Sequence, residues 1–325
     1  MQVSLAEIEE RTKAALIAHG AGAWQATEVA RAVTRAEETG NVICGLYYLE
    51  SYCLQLASGR VDGSVEPVVA TPRPGAVTVD ARFGFAQPAF TRALSPAVVA
   101  ARENGIAALS VAHSHTCTSL GFFTEQIAAH GLIGIGFTNA SAIVAGPGGK
   151  QPVLGTNPMA ITIPGQDSPA MHADFSTSAV ALGRITMAKA AGEDIPLGWA
   201  VDARGDPTTD PEAALEGALQ PAAGHKGWAL GLMVEALAAG LTGSVNSLDV
   251  KGLKLPNGSP HDLGQFYILI EPGAHGGALA DRFARVSEAI AADAGARVPG
   301  VPRRHLDPVE VPDLLWSQVV ALTSL

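Results

Sequence analysis

Short β-rich segments alternate with helical segments through the middle of the chain, and each is bounded by Gly or Pro. The β-rich segments are residues 76–79, 107–111, 132–137 and 159–163, and the helical segments between them are residues 89–102 and 121–130. Further helices are predicted over residues 178–191, 225–241 and 278–294, with a late strand over residues 265–271 and a short helix after Pro312. Alternation of this kind is typical of an α/β fold.

The first part of the chain has a different pattern, with three helices in succession. Ser4-Leu-Ala-Glu7 is a capping box, which predicts a helix over residues 4–19. A second helix has an apolar face that includes Trp24 and Val33 and ends at Gly40, and a third is predicted over residues 48–57.

No linker or repeat divides the chain, so any domain division must come from the chain leaving one core and returning to it. We expect one unit, mainly helical, built from residues 1–75 together with 271–325, and a second domain over residues 76–270.

Composition narrows the classes of function. The chain carries 21 Lys and Arg against 31 Asp and Glu, a formal net charge of -10, without a basic run. Nucleic acids and anionic membranes attract concentrated positive charge, so neither is expected as a partner. The N-terminal segment has glutamates in an amphipathic pattern, unlike a signal peptide, and no apolar run reaches bilayer length. An odd set of three cysteines, Cys44, Cys53 and Cys117, suits a reducing compartment, so a cytoplasmic enzyme acting on a small molecule is predicted.

The familiar nucleotide-binding motifs are absent from the sequence. Gly134-Ile-Gly136 lacks the third small residue at the spacing of a dinucleotide-binding turn, and there is no Walker A sequence. Gly146-Pro-Gly-Gly149 is more typical of a loop than of a phosphate site. Spacing alone therefore indicates an α/β enzyme without a Rossmann nucleotide site.

Several short motifs in a fixed order carry a family resemblance. They are Gly155-Thr-Asn-Pro158, Asp174-Phe-Ser-Thr-Ser178-Ala-Val-Ala-Leu-Gly183, Gly198-Trp-Ala-Val-Asp202 with Pro207-Thr-Thr-Asp-Pro211, and Gly224-His-Lys-Gly227. In this order they resemble the malate/L-lactate dehydrogenase family, over nearly the whole chain. Its members include L-sulfolactate, ureidoglycolate and 2,3-diketogulonate dehydrogenases and the Δ1-piperideine-2-carboxylate/Δ1-pyrroline-2-carboxylate reductases.

The resemblance implies an NAD(P)H-dependent oxidoreductase with a non-Rossmann, malate/L-lactate dehydrogenase-like fold. In that fold a central mixed sheet domain packs on a helical unit from both termini. The resemblance implies that residues 76–270 bind the nicotinamide cofactor and the substrate, and that residues 1–75 with 271–325 form the helical and dimerisation unit. The family is usually a homodimer with an active site at the subunit contact. The family also has an active-site Asp where this chain has Asp174.

The residues predicted to hold NADPH or NADH lie in three places: Ser176, Thr177 and Ser178; Gly224, His225 and Lys226; and Arg303, beside Arg304. The first group precedes a predicted helix, and the second begins one. Free backbone N–H groups and the positive end of the helix dipole favour a phosphate there. An arginine can bind a phosphate through two parallel hydrogen bonds.

Two segments depart from the family pattern. Where the family has Ser-His-Gly-x-x-Arg, with the His as acid/base and the Arg on the substrate carboxylate, this chain has Ile43-Cys44-Gly45-Leu-Tyr-Tyr48. The later Asn-x-His-Phe-Gly segment is altered to His113-Ser-His-Thr-Cys-Thr118, which places His115 one position from the family's His. The family mechanism therefore does not transfer directly.

These changes favour an imine over a carbonyl substrate. Reducing a carbonyl needs a proton donor, and a thiol is a weak replacement for an imidazole. A ketimine can arrive already protonated, and a carboxylate such as Asp174 would stabilise that cation. Cys44, Tyr48 and His115 complete the predicted catalytic set, and the substrate carboxylate is expected to meet hydroxyl groups: Tyr48, Ser114, Thr116, Thr118 and Thr156.

Other functions stay open from the sequence. A relocated His113 or His115 would serve reduction of a 2-oxo acid to a 2-hydroxy acid. The alternation of His113, His115 and Cys117 fits the ligands of a metal-dependent hydrolase, although no metal is expected. Cys44 could act as a nucleophile, but nothing flanking it supplies a base. A non-catalytic nucleotide-binding protein is the remaining alternative.

Overall fold

The computed structural model describes residues 1–302 and 304–323. Within them the α-helices are α1 (Leu5–Ala18), α2 (Ala23–Thr39), α3 (Leu49–Ala57), α4 (Ala86–Asn104), α5 (Gly121–Ala128), α6 (Leu182–Ala191), α7 (Pro211–Glu216), α8 (His225–Glu235), α9 (Leu279–Ala291) and α10 (Asp313–Leu322). The strands are β1 (Gln2–Val3), β2 (Val68–Arg73), β3 (Ala76–Asp80), β4 (Ile106–Ser114), β5 (Ile133–Thr138), β6 (Val144–Ala145), β7 (Pro152–Leu154), β8 (Met159–Ile163), β9 (Met171–Phe175), β10 (Ala200–Val201), β11 (Pro207–Thr208), β12 (Ala218–Leu219), β13 (Leu263–Ile270) and β14 (Val309–Glu310).

The main sheet has seven strands in the order β2-β3-β4-β13-β5-β8-β9. Strands β3 and β4 are parallel, and the other neighbours are antiparallel. Leu109 of β4 packs with Phe90 of α4 and Phe123 of α5 in the largest core. On the other face, Phe137 and Phe266 pack against α8 and the turn that follows it. A mixed sheet covered by helices confirms the predicted α/β class.

A second, smaller sheet lies within the sequence range predicted for the cofactor and substrate domain. Its strands are ordered β11-β10-β12-β6-β7. It has a core of its own, in which Val144 and Leu219 pack with Ile185 of α6. This part of the chain therefore contains two sheets rather than one.

The two ends of the chain meet in a helical unit. Strand β1 pairs with β14, so that Gln2 lies opposite Glu310. Ile8 of α1, Val29 of α2, Tyr52 of α3 and Trp316 of α10 share one core. Contact between the two termini agrees with the expected helical unit, while the exact division at residues 75 and 270 stays a prediction.

Two of the predicted helix limits change in a way that affects the site. The helix predicted from residue 178 begins at Leu182, because Ser178 instead forms a β-bridge with Pro221. The helix predicted over residues 225–241 ends its α-helical part at Glu235 and continues as a wider π turn to Gly240. Strands β2 and β9 were not predicted, since exposed or polar residues obscure the alternation in both.

Candidate active site

A cavity of about 1170 Å³ lies where the end of α2, the start of α5, strand β9, residues 297–302 and Arg304 meet. Asp174, near the end of β9, lines it together with Asn41, Ser119 and Phe175. Asp174 lies opposite Ala160 of β8, so the sheet fixes its position in the wall. A concave site with a buried sheet behind it is the usual place for a small-molecule site.

The Asp174 carboxylate has one bound and one available oxygen. The backbone N–H of Gly121 donates to Oδ2 over 2.7 Å, and Ser119 Oγ donates to the same atom over 3.3 Å. No other residue in the described ranges donates to Oδ1. Crowding by protein atoms raises the pKa of Asp174, although both hydrogen bonds favour the ionised form. Oδ1 is therefore available to a cationic ligand in the cavity.

Cys44 lies close enough to the Asp174 carboxylate for its charge to affect the thiol, and Tyr48 lies close to Cys44. Burial raises the pKa of the Cys44 thiol to about 12, and the charge of Asp174 adds to that shift. Burial likewise raises the pKa of Tyr48 to about 12, with a smaller contribution from Cys44. Asp174, Cys44 and Tyr48 therefore lie near one another, and their predicted catalytic roles stay a prediction. Both the thiol and the phenol stay protonated at neutral pH, which argues against Cys44 as a thiolate nucleophile.

His115 lies elsewhere, in a buried cluster. Its ring stacks on His261 with 4.0 Å between centroids, and its Nε2 is 2.5 Å from Gln55 Oε1. Burial, together with the charge of Arg60 and the neighbouring His261, places the pKa of His115 well below its usual value. A neutral ring that is only 2% exposed is poorly suited to deliver a proton to a ligand. The geometry gives His115 a structural role instead of the predicted catalytic one.

The four predicted substrate hydroxyls are only partly available. Ser114 is fully buried, and its Oγ donates to the Leu263 carbonyl. Thr116 is also buried and accepts from the Thr118 backbone, whereas Thr118 and Thr156 are half-buried. Ser114 and Thr116 therefore belong to the protein interior, and Thr118 and Thr156 remain candidates.

Two of the three predicted cofactor segments do come together. Thr177 accepts the backbone N–H of Ala222 over 2.9 Å, and Ala179 donates to the Gln220 carbonyl. This brings Ser176, Thr177 and Ser178 beside the start of α8, where Gly224, His225 and Lys226 follow. Gly224 has a φ of 61°, which favours glycine, and a side chain there would meet no atom within 4 Å. The second segment thus lies at the start of a helix, α8, whereas the helix predicted directly after Ser178 begins only at Leu182. Phosphate binding by these residues stays a prediction.

Most of the C-terminal residues that line the cavity were not predicted from the sequence. Arg297 and Arg304 line the cavity beside Pro299 and Gly300, and His172 lies on the same wall. Only the pair Arg303-Arg304 was signalled by the sequence, and Arg303 falls outside the described residues. Gly300 fits against the His172 backbone, where an added Cβ would come within 2.6 Å of the carbonyl oxygen.

The alternative metal site of His113, His115 and Cys117 does not form. His113 pairs with Asp262 over 2.7 Å, while His115 and Cys117 are buried. In the described part of the chain, no group of three His, Cys, Asp or Glu side chains could hold a metal ion.

Within residues 1–302 and 304–323, no helix combines the length and apolar character needed to cross a membrane.

A sequence model of the malate/L-lactate dehydrogenase family matches residues 3–307. The chain belongs to this family. The predicted family membership is confirmed, and the chain is an oxidoreductase with the fold that the family implies.

Named relatives cover almost the full chain. A Δ1-pyrroline-2-carboxylate reductase of Ancylobacter novellus is 38% identical over 99% of this chain and 97% of its own length. A (2R)-3-sulfolactate dehydrogenase (NADP(+)) of Chromohalobacter salexigens is 36% identical over 98% of this chain and 97% of its own length. The crystal structure of the Δ1-piperideine-2-carboxylate reductase of Pseudomonas syringae pv. tomato has a TM-score of 0.91 at 33% identity, covering 99% of both chains.

Proposed function

We propose that this member of the family is an NAD(P)H-dependent reductase of a small carboxylated cyclic ketimine, of the Δ1-pyrroline-2-carboxylate or Δ1-piperideine-2-carboxylate type. The observation that carries the proposal is the composition of the site around Asp174. It offers an accessible carboxylate oxygen, and its neighbours Cys44 and Tyr48 both keep their protons at neutral pH. Relatives named as reductases of these substrates, at 34–38% identity, support the same substrate class.

Such a site suits an imine that is already protonated. Asp174 Oδ1 would accept a hydrogen bond from the iminium N–H and stabilise its positive charge. Hydride addition to the iminium carbon then gives a neutral secondary amine, so no protein group has to donate a proton in that step. The Cys44 thiol and the Tyr48 hydroxyl would shape the pocket and supply neutral hydrogen-bond donors.

The cofactor would be held by residues that the fold already places together. Lys226 and the first N–H groups of α8, facing Ser176 to Ser178, form a site for the phosphates. Strand β9 leads directly from Asp174 into this segment. Because extended backbone advances about 3.3 Å per residue, the reacting end and the phosphate end would be separated by about 10 Å. NADPH or NADH bound there would supply the hydride.

Reduction of a 2-oxo acid is the second candidate. The relative named as a sulfolactate dehydrogenase is the observation in its favour, because sulfolactate is a 2-hydroxy acid. That reaction needs a proton for the developing alkoxide, and the buried, neutral His115 does not meet the cavity. A protonated Asp174 would then have to act as the donor.

We also propose a homodimer. Leu230, Leu232 and Met233 lie on a face of α8 that is exposed in the single chain, and α9 buries none of its residues. Two apolar helix faces without cover in one chain support burial against a second copy. The cytoplasmic location stays a prediction from the cysteine content.

One substrate panel tests the function. Oxidation of NADPH and NADH is followed with Δ1-pyrroline-2-carboxylate, Δ1-piperideine-2-carboxylate, pyruvate and 3-sulfopyruvate. We expect kcat/KM to be highest for a cyclic ketimine. Faster reduction of either 2-oxo acid would favour the second candidate, and absence of turnover with cofactor binding retained would favour a non-catalytic nucleotide-binding protein.

A further inference from the structure

Lys254 occupies a position that the substrate proposal leaves without an explanation. Its Nζ lies 3.1 Å from the centre of the Tyr47 ring and 4.7 Å from the centre of the Tyr48 ring. The pKa of Tyr48 is affected by Cys44, and that of Cys44 by the charge of Asp174, so the two side chains lie near the Asp174 carboxylate. An ammonium group thus lies against the ring of Tyr48, one of the residues predicted for the catalytic set.

Among residues 1–302 and 304–323, no carboxylate forms an ion pair with Lys254. The contacts of its ammonium group there include the two aromatic rings. Arg35 on the cavity wall differs, because Glu38 and Glu125 both pair with it. An aromatic face attracts a cation but leaves its N–H donors free for an anion.

The loop that carries Lys254 is held by buried polar side chains. Gln55 Nε2 donates to the carbonyls of Leu253 and Leu255, the two residues that flank Lys254, over 2.8 and 2.7 Å. Arg60, which is 1% exposed, donates to the carbonyls of Gly252, Leu255 and Ser259.

This anchoring explains the buried histidine. His115 Nε2 meets Gln55 Oε1, which orients the amide so that its NH₂ group faces the loop. Burying an amide and a guanidinium is costly unless they are hydrogen-bonded. Here the amide and the Nε and Nη1 groups of Arg60 donate to backbone carbonyls of the same exposed loop, while Arg60 Nη2 has no partner among the described residues. The loop is therefore fixed with respect to α3, and Lys254 with respect to Tyr48.

We infer that Lys254 binds the carboxylate of the substrate. The inference rests on the proposed function: in a 2-carboxylated cyclic ketimine, the carboxylate is attached directly to the reacting carbon, one bond of about 1.5 Å away. The cation that holds it must therefore lie close to the residues that contact the iminium. Lys254 supplies that charge, with the Tyr48 hydroxyl beside it. His115, Gln55 and Arg60 are positioning residues for this loop.

The test compares Lys254→Met with Lys254→Arg, and with Lys251→Ala as a matched control on the same loop. With Δ1-pyrroline-2-carboxylate, we expect Lys254→Met to raise KM about tenfold or more, because a charge-assisted contact is lost. The KM for NADPH should stay unchanged, Lys254→Arg should recover most of the affinity, and Lys251→Ala should match the unmodified protein. With 1-pyrroline, which lacks the carboxylate, Lys254→Met should have no effect on KM.

A binding measurement separates this inference from the proposed function. Pyrrole-2-carboxylate, a flat carboxylate without a reducible C=N bond, is titrated calorimetrically into the protein with NADPH. Loss of binding in Lys254→Met alone supports the inference even if no imine is turned over. The inference is overturned if Lys254→Met leaves both KM and pyrrole-2-carboxylate binding unchanged, if the unmodified protein does not bind pyrrole-2-carboxylate, or if Arg304→Ala rather than Lys254→Met removes the carboxylate preference.

Discussion

The backbone N–H of Gly121 donates to Oδ2 of Asp174 over 2.7 Å, which joins the start of α5 to the end of β9 at the wall of the cavity. A side chain at Gly121 would come within 2.6 Å of the His172 ring and 3.0 Å of the Asp174 Cβ. Glycine at this position therefore allows the close approach that aims the carboxylate.

Asp174→Asn should lower kcat/KM for Δ1-pyrroline-2-carboxylate by about 10²-fold or more, because a neutral amide cannot stabilise the iminium charge. Affinity for NADPH, measured by fluorescence titration, should change little. Asp293→Asn is the control, since Asp293 is exposed and does not line the cavity. Full activity of Asp174→Asn would remove this residue from the mechanism.

Cys44→Ser should keep most of the imine-reductase activity, because a thiol with a pKa of about 12 is neutral and contributes shape and polarity. In both proteins the rate should fall as pH rises and the imine loses its proton. Steady-state kinetics measured from about pH 6 to about pH 10 check both points. Loss of turnover in Cys44→Ser would instead make Cys44 an essential group.

Lys226→Ala should weaken NADPH binding about tenfold or more while leaving the fold intact, since one charge-assisted phosphate contact is lost. Fluorescence titration measures the affinity, and circular dichroism checks the fold. Lys189→Ala, on α6, is a control whose side chain already pairs with Glu212. Equal affinity in Lys226→Ala and the unmodified protein would exclude Lys226 from the cofactor site.

The protein should lose stability in acid through its buried histidines. Burial and the charge of Arg60 lower the pKa of His261 to about 3, and that of His115 also lies well below its usual value. Unfolded histidines bind protons below about pH 6.5 while these folded ones do not, so stability is full above that pH and declines towards pH 3. The decline is about 1.4 kcal/mol per pH unit for each such histidine. Urea unfolding between about pH 7.5 and about pH 5 measures this loss of stability. In His261→Gln, the slope of the unfolding free energy against pH should fall by the contribution of one proton.

Leu232→Glu should convert a dimer to a monomer, because Leu232 is 46% exposed in the single chain on the apolar face of α8. Light scattering at micromolar concentration gives the mass of both proteins. Val99→Glu is a control, since Val99 is 51% exposed but lies on α4, outside both α8 and the predicted dimerisation unit. A monomeric mass for the unmodified protein would contradict the proposed homodimer.

Local sequence determined most of the secondary structure and the family. The capping box at Ser4 and the glycine at Gly40 mark helix ends that the structure reproduces at α1 and α2. The strands predicted at residues 107–111 and 159–163 lie within β4 and β8. These features depend on hydrogen bonds and burial patterns that repeat within a few residues, so they can be recognised along the chain.

Tertiary packing alone decided which side chains share an environment. His115 has hydroxyl residues on both sides in the sequence and Asp174 has apolar ones, yet the fold buries His115 against His261 and opens Asp174 to a cavity. Lys254 lies about 200 positions from Tyr48 in sequence. The two side chains meet because Gln55 and Arg60 bind the loop that carries Lys254. Desolvation and charge depend on every neighbour in space, including those distant in sequence, and no local pattern encodes them.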